Sequence, residues 1–158
     1  MTYIIYLFIT LSLVLIDQFS KQIVTAYIDL YQKIEVIPGF FNLTYVQNYG
    51  AGFSILEGQR TLFLIITVVA AVIFSYMLIK GKNSGLLYKS SLLLILGGTL
   101  GNFIDRIVHT YVVDFLDFII LGYDFPVFNL ADSFLTVGVA LLLIYTIFIE
   151  GKDGKTRN

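Results

Sequence analysis

The chain contains no cysteine. That absence excludes disulfides, thiolate metal sites, a cysteine nucleophile and lipidation of the chain itself. Histidine occurs once, at His109, and a lone histidine without a second histidine or a cysteine does not make a zinc site. No metal or other cofactor is therefore expected. Charge is scarce as well: Asp, Glu, Lys and Arg make up 13% of the 158 residues, against ~25% in an ordinary soluble domain. The ten cationic and eleven acidic side chains leave a net charge of -1 with no dominant basic cluster, which excludes nucleic acid as a partner. Hydrophobic residues reach 58% and the mean hydropathy is +0.86. Intrinsic disorder is excluded on those values, and so few charges cannot assemble a solvated surface. The sequence is that of a membrane protein, with a length that allows a single domain, residues 1–158.

A helix needs about 20 apolar residues to cross the hydrocarbon core, and four segments qualify. Thr2–Tyr27 is interrupted by Asp17 and Lys21. Thr61–Ile79 carries no charge, Leu86–Ile104 only Lys89, and Ala131–Ile149 only Asp132. The first lacks a basic start and a small-residue cleavage site, so it reads as a retained span. The expected fold is an all-α membrane protein, a four-transmembrane-helix bundle. Lys80, Lys82 and Lys89 in one loop, and Lys152, Lys155 and Arg157 in the tail, place both termini on the cytoplasmic side. Two connections then face outward. Residues 34–53 combine a Pro38-Gly39 turn with alternation through Phe41, Leu43 and Tyr45, which predicts a small β-structured element at the membrane surface. Residues 109–129 hold Phe115, Phe118, Tyr123, Phe125 and Phe128, and read as an aromatic loop dipping into the interface.

Ionisable groups beside a span are costly and mark function. At ~1.5 Å per residue, Asp17 and Lys21 lie in the outer half of the first span. The third span ends outward in Asn102, Asp105 and Arg106, and the fourth starts there with Asn129 and Asp132. Asp114 follows soon after the third span. Two carboxylates close together in a low-dielectric site share a proton, so one can activate water while the other donates to a substrate carbonyl. Asp114 and Asp132 flank one loop and suit that chemistry, with Asp117 and Asp124 as competitors. Asp17 and Lys21, one helical turn apart, form either a neutralising ion pair or a substrate-positioning pair. The Gly97-Gly98-Thr99-Leu100-Gly101 stretch reads as close helix packing, and Asp105 with Arg106 as a tie from the helix end to its neighbours. Ser133 has no nucleophile-elbow sequence and no base. Asn48, Asn102 and Asn129 either cap helices and loops or recognise a peptide backbone.

Five blocks in order resemble the lipoprotein signal peptidases (type II signal peptidases) of bacteria: DQFSK at Asp17–Lys21, NYGAGF at Asn48–Phe53, GGTLGNFIDR at Gly97–Arg106, VVDF at Val112–Phe115 and FNLADSF at Phe128–Phe134. Ser20 and Gly52 stand where the family commonly has threonine and alanine, and the stretch after Asp117 is the least family-like. The resemblance implies an aspartic-type intramembrane endopeptidase without cofactor, in the bacterial cytoplasmic (inner) membrane. Its substrate is a prolipoprotein, cut just before a diacylglyceryl-modified cysteine near the outer face. The implied catalytic dyad is Asp114 and Asp132. Implied supporting residues are Asp17, Lys21, Asn48, Gly50, Asn102, Asp105, Arg106 and Asn129. Membrane lipid is the other expected partner, and the chain is expected to work as a monomer. The rival from another class is a small proton-coupled transporter using Asp17, Asp105 and Asp132 as a relay.

Overall fold

The computed structural model describes residues 2–50, 58–81 and 84–150. The elements run in the order α1 (Thr2–Tyr27), β1 (Lys33–Ile37), β2 (Phe41–Asn48), α2 (Arg60–Lys80), α3 (Leu86–Val108), β3 (Val112–Ile120), β4 (Tyr123–Asp124) and α4 (Leu130–Tyr145), the last continued by a π-helical turn at Thr146–Glu150. All four helices are long and apolar enough to cross a membrane, α4 counted as far as Ile149. Their ends fall within a residue of the apolar runs, except that α3 continues past Ile104 to Val108. Hydropathy alone stops too early there. The polar last turn finds partners on α1 and β3, as described below, and so stays helical.

The third helix is the centre of the bundle. Of its most apolar 18-residue window, 61% is buried, against 11% for α1 and α2 and 6% for α4. The outer helices turn side chains such as Phe8, Val72 and Leu143 outward, the arrangement a helix facing lipid adopts. Close approach to the centre depends on small residues. A Cβ at Gly98 would collide with the Ala131 carbonyl and Leu135 of α4, and one at Gly101 with the Asp17 carboxylate of α1. Without a hydrophobic drive between helices in lipid, this contact is van der Waals packing over a small-residue face. Gly98→Ala should therefore force α3 and α4 apart at a cost of about 1–3 kcal/mol. Thermal unfolding in detergent checks this, and an unchanged midpoint would refute it.

The strands form one antiparallel sheet in the order β1-β2-β3-β4. The Pro38-Gly39 turn appears where the sequence indicates it, with Gly39 in the left-handed region at φ 69°, where glycine meets no Cβ penalty. Ala51, Gly52 and Phe53 lie outside the described residues. The segment expected to be an aromatic loop is instead largely strand: β3 runs for nine residues, VVDFLDFII. Its β-branched ends favour extended backbone, and β2 offers it a pairing edge. Asn42 faces Asp117 and Val46 faces Asp114 across that pair, with a register shift between Leu43 and Val46. The aromatics stack on one another, Phe118 on Phe41 at 4.6 Å and on Phe128 at 5.7 Å between ring centroids. On the other face, Val113 and Phe115 bury against Val24 and Ile28 at the end of α1. That contact lays β3 across the end of the bundle where α3 finishes and α4 begins.

Candidate active site

Alternation along β3 sends its two buried acids to different faces. Side chains point to opposite faces in turn, so Asp114 and Asp117 leave the strand on opposite sides, though both are 2% exposed. Asp117 meets Lys33 at 2.8 Å and accepts from the Asn42 side-chain amide at 3.2 Å. It is a structural carboxylate of the sheet. Asp114 instead lines a cavity of about 220 Å³ together with Asp132, Asn48, Gly50, Asn102 and Arg106, with Phe125, Pro126 and Phe128 also in its wall. Asp124 is exposed on β4.

Asp132 is held by the start of α4. Asn129 is the N-cap residue: its Oδ1 accepts from the Asp132 amide at 3.0 Å, while Asp132 Oδ2 accepts from the Asn129 amide at 3.3 Å. This capping box satisfies donors that every helix start leaves open. A third, the Ala131 amide, donates to Asp17 Oδ1 at 2.9 Å. The capping residue also reaches the other acid, since Asn129 Nδ2 donates to Asp114 Oδ1 at 2.7 Å. One buried asparagine thus links both carboxylates.

Each acid has a further amide donor. Asn48 Nδ2 donates to Asp114 Oδ2 at 2.8 Å, and Asn102 Nδ2 to Asp132 Oδ1 at 2.7 Å. Asn48 Oδ1 in turn accepts from the Gly50 amide at 2.9 Å. Burial, then the neighbouring Asp132 carboxylate, pushes the Asp114 carboxyl up to about 7, against the pull of the two asparagine amides. Desolvation and a like charge both disfavour the ionised form.

Beneath the cavity lies a second, fully paired cluster. Lys21 Nζ contacts Asp17 Oδ2 at 2.8 Å and Asp105 Oδ2 at 2.9 Å, and donates to Asn102 Oδ1 at 3.0 Å. All three ammonium protons are used. Asp105 also accepts from the Val113 amide at 3.1 Å, tying the end of α3 to β3. Of the two readings of Asp17 and Lys21, the ion pair is what the structure contains. Arg106 Nη2 donates to the Gly50 carbonyl at 3.0 Å. Of the supporting residues named from the sequence, Asn48, Gly50, Asn102 and Arg106 line this cavity, Asp17, Lys21 and Asp105 form the cluster with Asn102, and Asn129, fully buried, bonds both Asn102 and Asp114.

His109 ends α3 and stacks on Tyr111 at 5.6 Å, and Ser133 Oγ donates to the Asn129 carbonyl at 3.0 Å. Among the described residues, no group of three His, Cys, Asp or Glu side chains is placed to hold a metal ion. Sequence reasoning missed Gln18, which donates to Asp105 Oδ1 at 2.7 Å and to the Gly101 carbonyl at 3.1 Å. An amide in mid-span beside Asp17 was the available signal. It also missed Arg60, which sits at a helix start and carries no comparable signal.

The cavity brings together two carboxylates with amide and guanidinium side chains, in a chain without cysteine and with Ser133 bonded to a backbone carbonyl. The class that this fold and cavity define is an aspartic-type intramembrane hydrolase. Residues 9–148 match a family described as signal peptidase (SPase) II. The chain is 47% identical over 152 residues to the lipoprotein signal peptidase of Listeria monocytogenes serotype 4a, covering 96% of this chain and 97% of that one. It is 44% identical to the lipoprotein signal peptidase of Enterococcus faecalis, with 96% and 94% covered. A bacterial membrane enzyme solved by the in meso method at 2.3 Å resolution superposes with a TM-score of 0.86 at 40% identity, over 97% of this chain and 91% of that one. A second, solved at 1.9 Å, gives 0.83 at 41% identity, over 91% and 93%. The chain belongs to the signal peptidase II family, and it is a multi-pass peptidase of the bacterial cytoplasmic membrane.

Proposed function

We propose that this peptidase removes the signal peptide from diacylglyceryl-modified prolipoproteins, cutting just before the lipid-bearing cysteine with Asp114 and Asp132 as its dyad. The observation that carries the reading is the one cavity in which both carboxylates meet, linked through Asn129. Asp114, whose carboxyl is raised to about 7, holds the proton and donates it to the scissile carbonyl oxygen. Asp132, ionised, takes a proton from water as the water oxygen attacks the carbonyl carbon. The tetrahedral diol collapses, the C–N bond breaks, and Asp132 returns its proton to the leaving cysteine nitrogen. Asp114 recovers its own from the diol hydroxyl. Asp17, Lys21, Asn102, Asp105 and Asn129 hold the two acids in place, and Asn48, Gly50 and Arg106 form the rim that meets the peptide.

The whole chain, residues 1–158, acts as one membrane domain and as a monomer. Lys80 and Lys89 keep the opposite end of the bundle in the cytoplasm with both termini, so the cavity and the aromatic sheet segments face outward; Lys82, Lys152, Lys155 and Arg157 lie outside the described residues. The substrate's acyl chains lie in lipid beside the bundle, where each buried CH₂ contributes ~0.8 kcal/mol to association. The acids on the helices, Asp17, Asp105 and Asp132, are gathered in one bonded layer, which does not suit a transport relay. Purified protein given a synthetic precursor peptide should cleave it beside the cysteine when that residue bears diacylglyceryl. Equal cleavage of the unlipidated peptide, or none of either, would overturn the reading.

A further inference from the structure

The first turn of α2 makes contacts that the proposed reaction does not use directly. Arg60 Nε donates to the Arg106 carbonyl at 2.7 Å, and its Nη2 to the Ile107 carbonyl at 3.0 Å. Both carbonyls sit at the end of α3, where the His109 amide closes back onto Asp105. Helix ends leave carbonyls open and favour a cation beside them. A planar guanidinium bonded to two successive carbonyls fixes orientation in a way a single ammonium cannot.

One turn further along α2, the Phe63 ring lies 4.8 Å from the Arg106 guanidinium, within the range of a cation–π contact. That guanidinium is the one bonded to the Gly50 carbonyl, and it also reaches the Asn102 carbonyl at 3.4 Å. Arg106 is thus held twice by α2, through its own carbonyl and across its guanidinium face, which leaves the edge free for Gly50. The same last turns of α3 carry Asn102, which bonds Asp132.

We infer that Arg60, with Phe63, is a positioning residue for the peptidase site: it sets the last turn of α3 so that Arg106 holds Gly50 on the cavity rim. Arg60 itself is not among the side chains lining the cavity. The inference rests on the dyad reading above, since it assigns Arg60 an effect on that reaction.

The test is a double-mutant cycle on purified protein with the diacylglyceryl precursor peptide. Arg60→Ala should lower kcat about 10- to 100-fold, the scale on which a slight misplacement acts. KM should move less than about threefold, because Arg60 does not line the cavity and its loss shifts the alignment of groups that remain present. Arg60→Lys should recover part of kcat. Arg60→Ala combined with Arg106→Ala should be no slower than Arg106→Ala alone, the signature of one residue acting through the other. Wild-type kcat in Arg60→Ala, or additive losses in the pair, would overturn the inference. If Arg60→Ala does not fold, Phe63→Leu, which keeps an apolar side chain beneath Arg106, carries the same cycle with the same two outcomes. Asp114→Asn measured alongside separates the failures. Cleavage by that variant defeats the dyad reading, whereas an inactive Asp114→Asn beside a fully active Arg60→Ala defeats only this one.

Discussion

Asp132→Asn should lose cleavage by about 10³-fold or more, the scale on which removal of an essential group acts, while its helix bundle stays intact. An asparagine at 132 still accepts from Asn102 through its oxygen, so the short bond now at 2.7 Å survives. Only the bond from the Asn129 amide, at 3.3 Å, faces a mismatched donor. Half a capping box costs about 1 kcal/mol, too little to unfold the protein. What disappears is the base that takes the proton from water. Asp114→Asn should be equally inactive and less stable, because two amide donors, from Asn48 and Asn129, converge on its two oxygens. One of them would meet an NH₂ group instead of a carboxylate oxygen. Activity alone, measured with thermal unfolding as the control for folding, decides the assignment, and cleavage by either variant would sink it. The Asp114 carboxyl at about 7 adds a pH dependence with a definite sign. The acid that donates to the carbonyl must be protonated, so kcat/KM, which reports the free enzyme, should fall as pH rises through about 7. A kcat/KM flat between pH 6 and about 9 would refute that division of roles.

Lys21→Met should be the most destabilising single change in the cluster below the site. The Lys21 side chain is 4% exposed, and it lies between Asp17 and Asp105, at 0% and 2%. Removing it leaves two buried carboxylates without their counter-ion. Breaking a buried pair from one side costs about 3–5 kcal/mol, equivalent to a fall of about 10 °C in Tm for a chain of this size. The loss also reaches the site, because Lys21 is one of two donors that hold Asn102 Oδ1 in place while Asn102 Nδ2 bonds Asp132. A freed amide could turn and present the wrong atom. Thermal unfolding in detergent measures the first effect and peptide cleavage the second. A Tm within about 2 °C of wild type would show that water or another cation replaces Lys21.

The four apolar helices are legible residue by residue, because length and hydropathy are local properties that the bilayer thickness converts directly into spans. The depth of the polar residues is legible in the same way. Helical rise places Asp17, Asn102 and Asp132 near one level without any knowledge of packing, and Gly98 and Gly101 mark where α3 meets its neighbours. Which acid of β3 turns into the bundle is not legible locally. Asp114 and Asp117 are equally buried, and the choice depends on register against β2 and on Lys33, which is remote in sequence. The aromatic segment became a strand for the same reason: its partner edge lies on β2, which no local pattern identifies. Asn129 capping α4 while reaching Asp114, and Arg60 gripping the end of α3, are likewise meetings of distant residues. Periodicity carries information over one element; contacts between elements depend on the path of the whole chain.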